Sequence, residues 1–204
     1  MNVLVVYAHP SKDSLCGTLF AAVCDEVERA GHQLRTHDLI AENFNPVFSA
    51  YERINHVGDL AQKLDQMPEL RSHVEDLQWC DTLILVYPTW WSGQPAVLKG
   101  WFDRVLMNGV AWTLPEGKAR LSPMLTNVRR LIVVTTHGSP KWVNMLQGEP
   151  GKRTVFRSVR LMFHIRTRCT WVGVYCMDRL DKSGPRQRKI TWVRRRVRRG
   201  LSKR

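Results

Sequence analysis

Short apolar runs rich in β-branched residues alternate along this chain with longer stretches in which apolar positions recur every three or four residues. That alternation predicts an α/β architecture, a parallel sheet covered by helices. Five strands are predicted, at residues 3–7, 33–37, 82–87, 130–135 and 170–176. Three of them are nearly all apolar, as strands buried on both faces must be. Helices are predicted at residues 14–30, 69–78, 95–108 and 153–165, with a last one from about 187 to 201. Ser14 can cap the first by accepting a free backbone N–H, and Pro95 suits a first helical position after Ser92-Gly93. Val97, Leu98, Trp101, Phe102, Val105 and Leu106 then share one apolar face. There is no internal repeat.

A length of 204 residues suits one core, so residues 1–204 are expected to form a single domain. No apolar stretch approaches the roughly 18–20 residues of a membrane span. The run from Asn2 to Tyr7 has no preceding Lys or Arg and no small-residue cleavage site, so it reads as a first strand rather than a secretory signal. The five cysteines, Cys16, Cys24, Cys80, Cys169 and Cys176, are odd in number and lack Cys-x-x-Cys spacing. They predict free thiols in a reducing cytoplasm, with no disulfide framework or zinc site. His32, His37, His56, His73 and His164 show no catalytic or metal-ligand spacing and read as structural.

Net charge is +13, yet residues 182–204 hold eleven Lys or Arg and no acid, so the rest of the chain carries only about +2. Within this tail Ile190, Val193, Val197 and Leu201 make an apolar stripe beside Arg194, Arg195, Arg196, Arg198 and Arg199. The expected arrangement packs the stripe on the sheet and leaves the arginines in water. The alternative is a basic amphipathic helix that binds nucleic acid or an anionic membrane.

Five strands in this order leave several doubly wound topologies open, among them 2-1-3-4-5, where ligands bind beyond the carboxyl ends of strands one, three and four. The loop after strand one, Ala8 to Leu15, carries His9, Ser11, Lys12 and Ser14 into a helix N-terminus, a natural phosphate cradle. The loop after strand three, Tyr87-Pro88-Thr89-Trp90-Trp91-Ser92-Gly93-Gln94-Pro95, is rigid and aromatic, and its N–H groups could hold a flat ring such as an isoalloxazine. The loop after strand four, Thr135-Thr136-His137-Gly138-Ser139-Pro140, is small and polar and lets backbone approach a ligand.

These residues resemble the NAD(P)H:quinone oxidoreductases of flavodoxin-like fold, together with bacterial relatives among drug-activity modulators and potassium-efflux ancillary subunits. The likeness rests on Ala8-His9-Pro10 with Ser14, on Asn43-Phe44-Asn45-Pro46, and on Thr135-Thr136-His137-Gly138-Ser139 with Leu146-Gln147-Gly148. Its most specific stretch runs from Pro95 to Val105, and the whole covers roughly residues 2–178. The resemblance implies a flavodoxin-like doubly wound sheet of order 2-1-3-4-5. It implies that His9, Ser11, Ser14, Leu15 and Cys16 lie along the flavin phosphates, with Cys16 in place of the family's usual Asn. Pro88, Thr89, Trp90, Trp91 and Ser92 would hold the isoalloxazine, and Thr135, Thr136, His137 and Gly138 its other side. His137 replaces a family Gly.

Animal members also use a Tyr and a His after this last loop, and neither stands between Trp142 and Pro150 here. Backbone donors or His137, the one candidate catalytic residue, would then balance charge on the reduced flavin. The implied activity is hydride transfer from NAD(P)H through FMN, or alternatively FAD, to a quinone-like acceptor by a homodimer. A flavin-binding regulatory subunit of a membrane transporter, with little turnover, is the competing expectation.

Overall fold

The computed structural model describes residues 1–117, 119–180 and 184–202. Its strands are β1 (Asn2–Tyr7), β2 (Gln33–Asp38), β3 (Thr82–Pro88), β4 (Trp112–Thr113), β5 (Ser122–Pro123), β6 (Arg130–Thr136) and β7 (Arg168–Val174). Five of these form one parallel sheet in the order β2-β1-β3-β6-β7, the expected 2-1-3-4-5 arrangement of a flavodoxin-like α/β fold. β4 and β5 pair antiparallel outside it. Successive residues of a strand face opposite sides of the sheet, so each central strand supplies two cores. Val3, Val5, Ile84, Val86, Ile132 and Val134 face one side, while Leu4, Val6, Leu83, Leu85, Leu131 and Val133 face the other.

The first side is covered by α1 (Leu15–Arg29) and the last helix; the second by α4 (Arg71–Trp79) and α5 (Ala96–Val105). Between them in the chain lie α2 (Ala50–Ile54), α3 (Leu60–Gln66), α6 (Lys141–Leu146) and α7 (Pro150–Arg153), and α8 (Gly184–Leu201) closes the fold. The short helices α2 and α3 escape a search for long periodic stretches. The only local trace of α2 is its capping box, Ser49 with Glu52 three residues on.

Three predicted boundaries change. Pro95 is the residue before α5 rather than its first, and the helix ends at Val105 instead of running to 108. The last strand starts at Arg168 and leaves the ladder after Val174, where Cys176 turns to φ 55°. The helix predicted at 153–165 is instead a composite of α7, a π-helical turn over Thr154–Ser158 and a 3-10 turn over Val159–Met162. Val155, Val159 and Phe163 all point into the core.

The apolar stripe of the basic tail packs as expected. Ile190, Val193, Val197 and Leu201 are buried against α1 and the sheet, Arg194 reaches Asp25 at 2.7 Å, and Arg198 reaches Glu26 at 2.5 Å. Lys182, Lys203 and Arg204 lie outside the described residues. Among the described residues no helix is long and apolar enough to cross a membrane.

Candidate functional site at the carboxyl edge of the sheet

The ends of β1, β3 and β6 are pinned side by side by backbone hydrogen bonds from Ala8 to Val86, Thr89 to Thr136 and His137 to Val174. The three loops singled out in the sequence therefore leave the sheet at one edge.

After β1 the chain folds over the start of α1. Ser14 caps that helix, its Oγ accepting from Gly17 N–H at 3.0 Å and donating to the Ser11 carbonyl at 2.7 Å. The Ser11 N–H donates to His9 Nδ1 at 2.9 Å, and Ser14 Oγ lies 3.2 Å from the same nitrogen. Gly17 is required here, because a Cβ would sit 2.1 Å from the Lys12 carbonyl oxygen. The side chains of Leu15 and Cys16 turn into the core, so only their backbone faces the loop. Neither N–H has an acceptor among the described residues, and both stand at the positive end of the helix. Burial pushes the Cys16 thiol up to about 12, which leaves it protonated and unreactive.

After β3, Trp90 and Gly93 exchange backbone hydrogen bonds of 3.2 and 3.0 Å, closing a tight turn with Trp91 and Ser92 at φ 48° and 62°. Trp91 is fully exposed, and the Trp90 ring stands 6.2 Å from that of His9, which joins this loop to the β1 loop. Ser92 Oγ donates to Gln147 Oε1 at 2.7 Å, and Gln94 Nε2 donates to the Gly151 carbonyl at 2.7 Å. Pro88 is buried at the end of β3, and Thr89 Oγ1 lies 2.8 Å from Thr135 Oγ1.

After β6, His137 is buried and stacked on Tyr175, with ring centroids 4.5 Å apart and planes 17° from parallel. Its Nε2 is 3.5 Å from Thr89 Oγ1 and Asn144 stands beside the ring as a hydrogen-bonding neighbour, while the hydroxyl of buried Thr136 has no partner among the described residues. Burial lowers the His137 pKa, favouring the neutral ring. A cavity of about 250 Å³ opens here, lined in part by Thr89, Trp91, His137, Gly138, Asn144 and Gln147.

Sequence reasoning gave no site role to Asn144, Gln147, Gln94 or Tyr175, although Gln94 and Gln147 lie in segments it singled out. Asn144 is the residue with a readable signal, a buried polar position on α6 whose Nδ2 donates to Ser139 Oγ at 3.0 Å. It also missed that two histidines read as scattered meet. His37 and His73 stand with ring centroids 3.9 Å apart, and Glu42 lies 3.1 Å from His37 Nδ1 and 3.6 Å from His73 Nε2. Trp101 donates to His73 Nδ1 at 3.3 Å, so the neutral ring carries its proton on Nε2 toward Glu42. That leaves no lone pair there for a metal, and the cluster ties β2 to α4 as a polar knot.

The residues fit a flavin. Unpaired N–H groups at a helix N-terminus suit a phosphate, and a cavity rimmed by tryptophan and lined by small polar residues suits a polar, flat ring.

The family described as flavodoxin-like fold matches residues 1–199. The chain is 33% identical over 150 residues to a ribosyldihydronicotinamide dehydrogenase [quinone] of Pongo abelii, covering 68% of this chain and 64% of that protein. It is 31% identical over 166 residues to NAD(P)H dehydrogenase [quinone] 1 of Rattus norvegicus, covering 76% and 60%. The chain thus spans less than two thirds of the length of these curated relatives. The crystal structure of Smu.1420 from Streptococcus mutans UA159 superposes with a TM-score of 0.81 at 25% identity, over 98% of this chain and 100% of that one.

Proposed function

The chain belongs to the flavodoxin-like fold family, and from that premise we propose that it is a flavin-dependent oxidoreductase passing hydride from NAD(P)H to a quinone-like acceptor. The supporting observation is the meeting at one sheet edge of the open N–H groups of Leu15 and Cys16 with a cavity lined by Thr89, Trp91, His137 and Gly138 between the loops of β3 and β6. Open N–H groups at a helix N-terminus favour an anion such as a phosphate, and a cavity edged by tryptophan favours a flat ring beside it.

A bound flavin supplies the two-electron step, taking hydride from the nicotinamide and giving it to the acceptor. The chain's own residues bind and orient. The N–H groups of Leu15 and Cys16, with Ser11, Ser14 and His9, receive the phosphate; Trp90, Trp91, Thr89 and Ser92 hold one side of the ring. Thr135, Thr136 and Gly138 line the other side, and His137, neutral and held by its stack, offers a fixed hydrogen-bonding nitrogen. The short phosphate loop, with Cys16 where the family resemblance implies an Asn, favours FMN over FAD. Exposed Trp142, Met145 and Leu146 beside the cavity support a homodimer, and residues 1–204 are read as one cytoplasmic domain.

The test is the visible spectrum of the purified chain, reconstituted with FMN or FAD, before and after anaerobic NAD(P)H and then a soluble quinone. Flavin bands that bleach and return support the reading, and the released flavin identifies the cofactor. Failure to hold either flavin overturns it, while binding without turnover favours a regulatory subunit.

A further inference from the structure

We propose that the outward face of α8 docks on an anionic lipid surface. The helix carries eight Lys or Arg and no acidic residue; Lys189 and Arg196 lie along one flank, and the other six form two sets of three. Arg186, Arg194 and Arg198 face α1, held by Thr18 at 2.9 Å, Asp25 at 2.7 Å and Glu26 at 2.5 Å. Arg188, Arg195 and Arg199 face away, are exposed, and pair with no acidic side chain among the described residues. Trp192 stands between them, 37% exposed as a residue, with Lys189 Nζ 5.1 Å from the centre of its ring. Positions 188, 192, 195 and 199 recur at three- and four-residue spacing, so they form one stripe along a helix about 27 Å long.

The chemistry of that stripe is selective. The buried stripe of Ile190, Val193, Val197 and Leu201 is spent on the sheet, so α8 cannot insert its apolar face into a bilayer. What remains is a flat cationic surface centred on a tryptophan, and indole settles at the level of lipid headgroups. Unpaired surface arginines each add about 1 kcal/mol of attraction to anionic headgroups. A helix that reads a nucleic-acid groove must protrude. α8 is instead sunk along its length beside α1 and offers a single face. The docking stands whether or not the redox reading holds.

Co-sedimentation of the full chain with phosphatidylcholine vesicles, with and without phosphatidylglycerol, tests the proposal. Binding is expected only with phosphatidylglycerol, and it weakens as salt rises. The variant R188S/R195S/R199S should lose about a hundredfold in partitioning while keeping the far-ultraviolet spectrum and unfolding midpoint of the parent. The control R53S/R120S/R157S removes the same charge from elsewhere on the surface and should bind as the parent does. Equal loss in both variants would reduce the effect to net charge and overturn the assignment. So would equal binding to neutral vesicles, or tighter, α8-dependent binding to a duplex DNA.

Discussion

The Nε of Arg104 on α5 donates to Glu52 Oε1 on α2 at 2.7 Å, with both side chains only 5% exposed. The same guanidinium donates to the Asn45 carbonyl and to Glu69, each at 2.8 Å, so one residue fastens the segment after β2 to two helices. Arg104→Ala leaves Glu52 buried without its counterion. The expected cost is about 3–5 kcal/mol, read as a fall in the urea midpoint. Removing both charges, as in R104L/E52L, should recover much of that loss, and a double variant as unstable as the single one would show that the ion pair is not the cause.

His137 lines the cavity between the loops of β3 and β6 and is held there by its stack on Tyr175. In the flavin-loaded protein, His137→Leu should retain flavin but lose about a hundredfold in turnover, the range seen when one preorganised donor is removed. Burial lowers the pKa of this ring below its ordinary 6.5. Parent turnover should therefore stay flat above that pH and change only on the acid side, while the Leu variant lacks that limb. Unchanged turnover would remove His137 from the chemistry.

Burial, with the neighbouring His37 acting in the same direction, takes the His73 pKa from 6.5 to about 4; Arg104 also lowers it and Glu42 opposes. Between those values the unfolded chain binds a proton that the folded protein refuses. This contribution to stability is complete above about pH 6.5 and is lost as pH falls toward 4, reaching at most about 3 kcal/mol. His73→Gln can still accept the Trp101 N–H, so its unfolding midpoint should fall less steeply than the parent's between neutral pH and pH 4.5. Parallel slopes would show that His73 titrates normally.

The sheet was legible in the sequence because its central strands are continuous apolar runs, and the site because its loops follow three of them. What stayed hidden depends on distance along the chain or on local winding. His37 and His73 lie on β2 and α4, so spacing gives no hint that their rings touch. Tyr175 reads as the end of a strand, yet it is the platform under His137. Val155, Val159 and Phe163 keep the i, i+4 spacing of a helix face, so periodicity registers a helix there and not the change from π to 3-10 winding after Ser158. Leu15 and Cys16 follow the loop after β1, and with their side chains in the core they can serve a ligand only through backbone N–H groups.

The turn that carries Trp91 sets binding against stability. Trp90 and Gly93 close a two-residue hairpin, and both central positions, Trp91 and Ser92, take left-handed backbone. Such a turn favours Asn or Gly, and a bulky side chain there costs roughly 1–2 kcal/mol. The Trp91 ring is fully exposed and gains no packing in return, so the strain has no structural compensation within the protein. Trp91→Gly should therefore raise the unfolding free energy of the flavin-free chain by about 1 kcal/mol, the relief of strain being partly offset by the freer unfolded backbone. The same change removes a stacking surface and should weaken flavin binding about tenfold, since aromatic stacking contributes on the order of 1 kcal/mol. Measured together, urea unfolding and flavin titration should move in opposite directions. If Gly both destabilises the chain and leaves flavin affinity unchanged, Trp91 serves the turn and not the ligand.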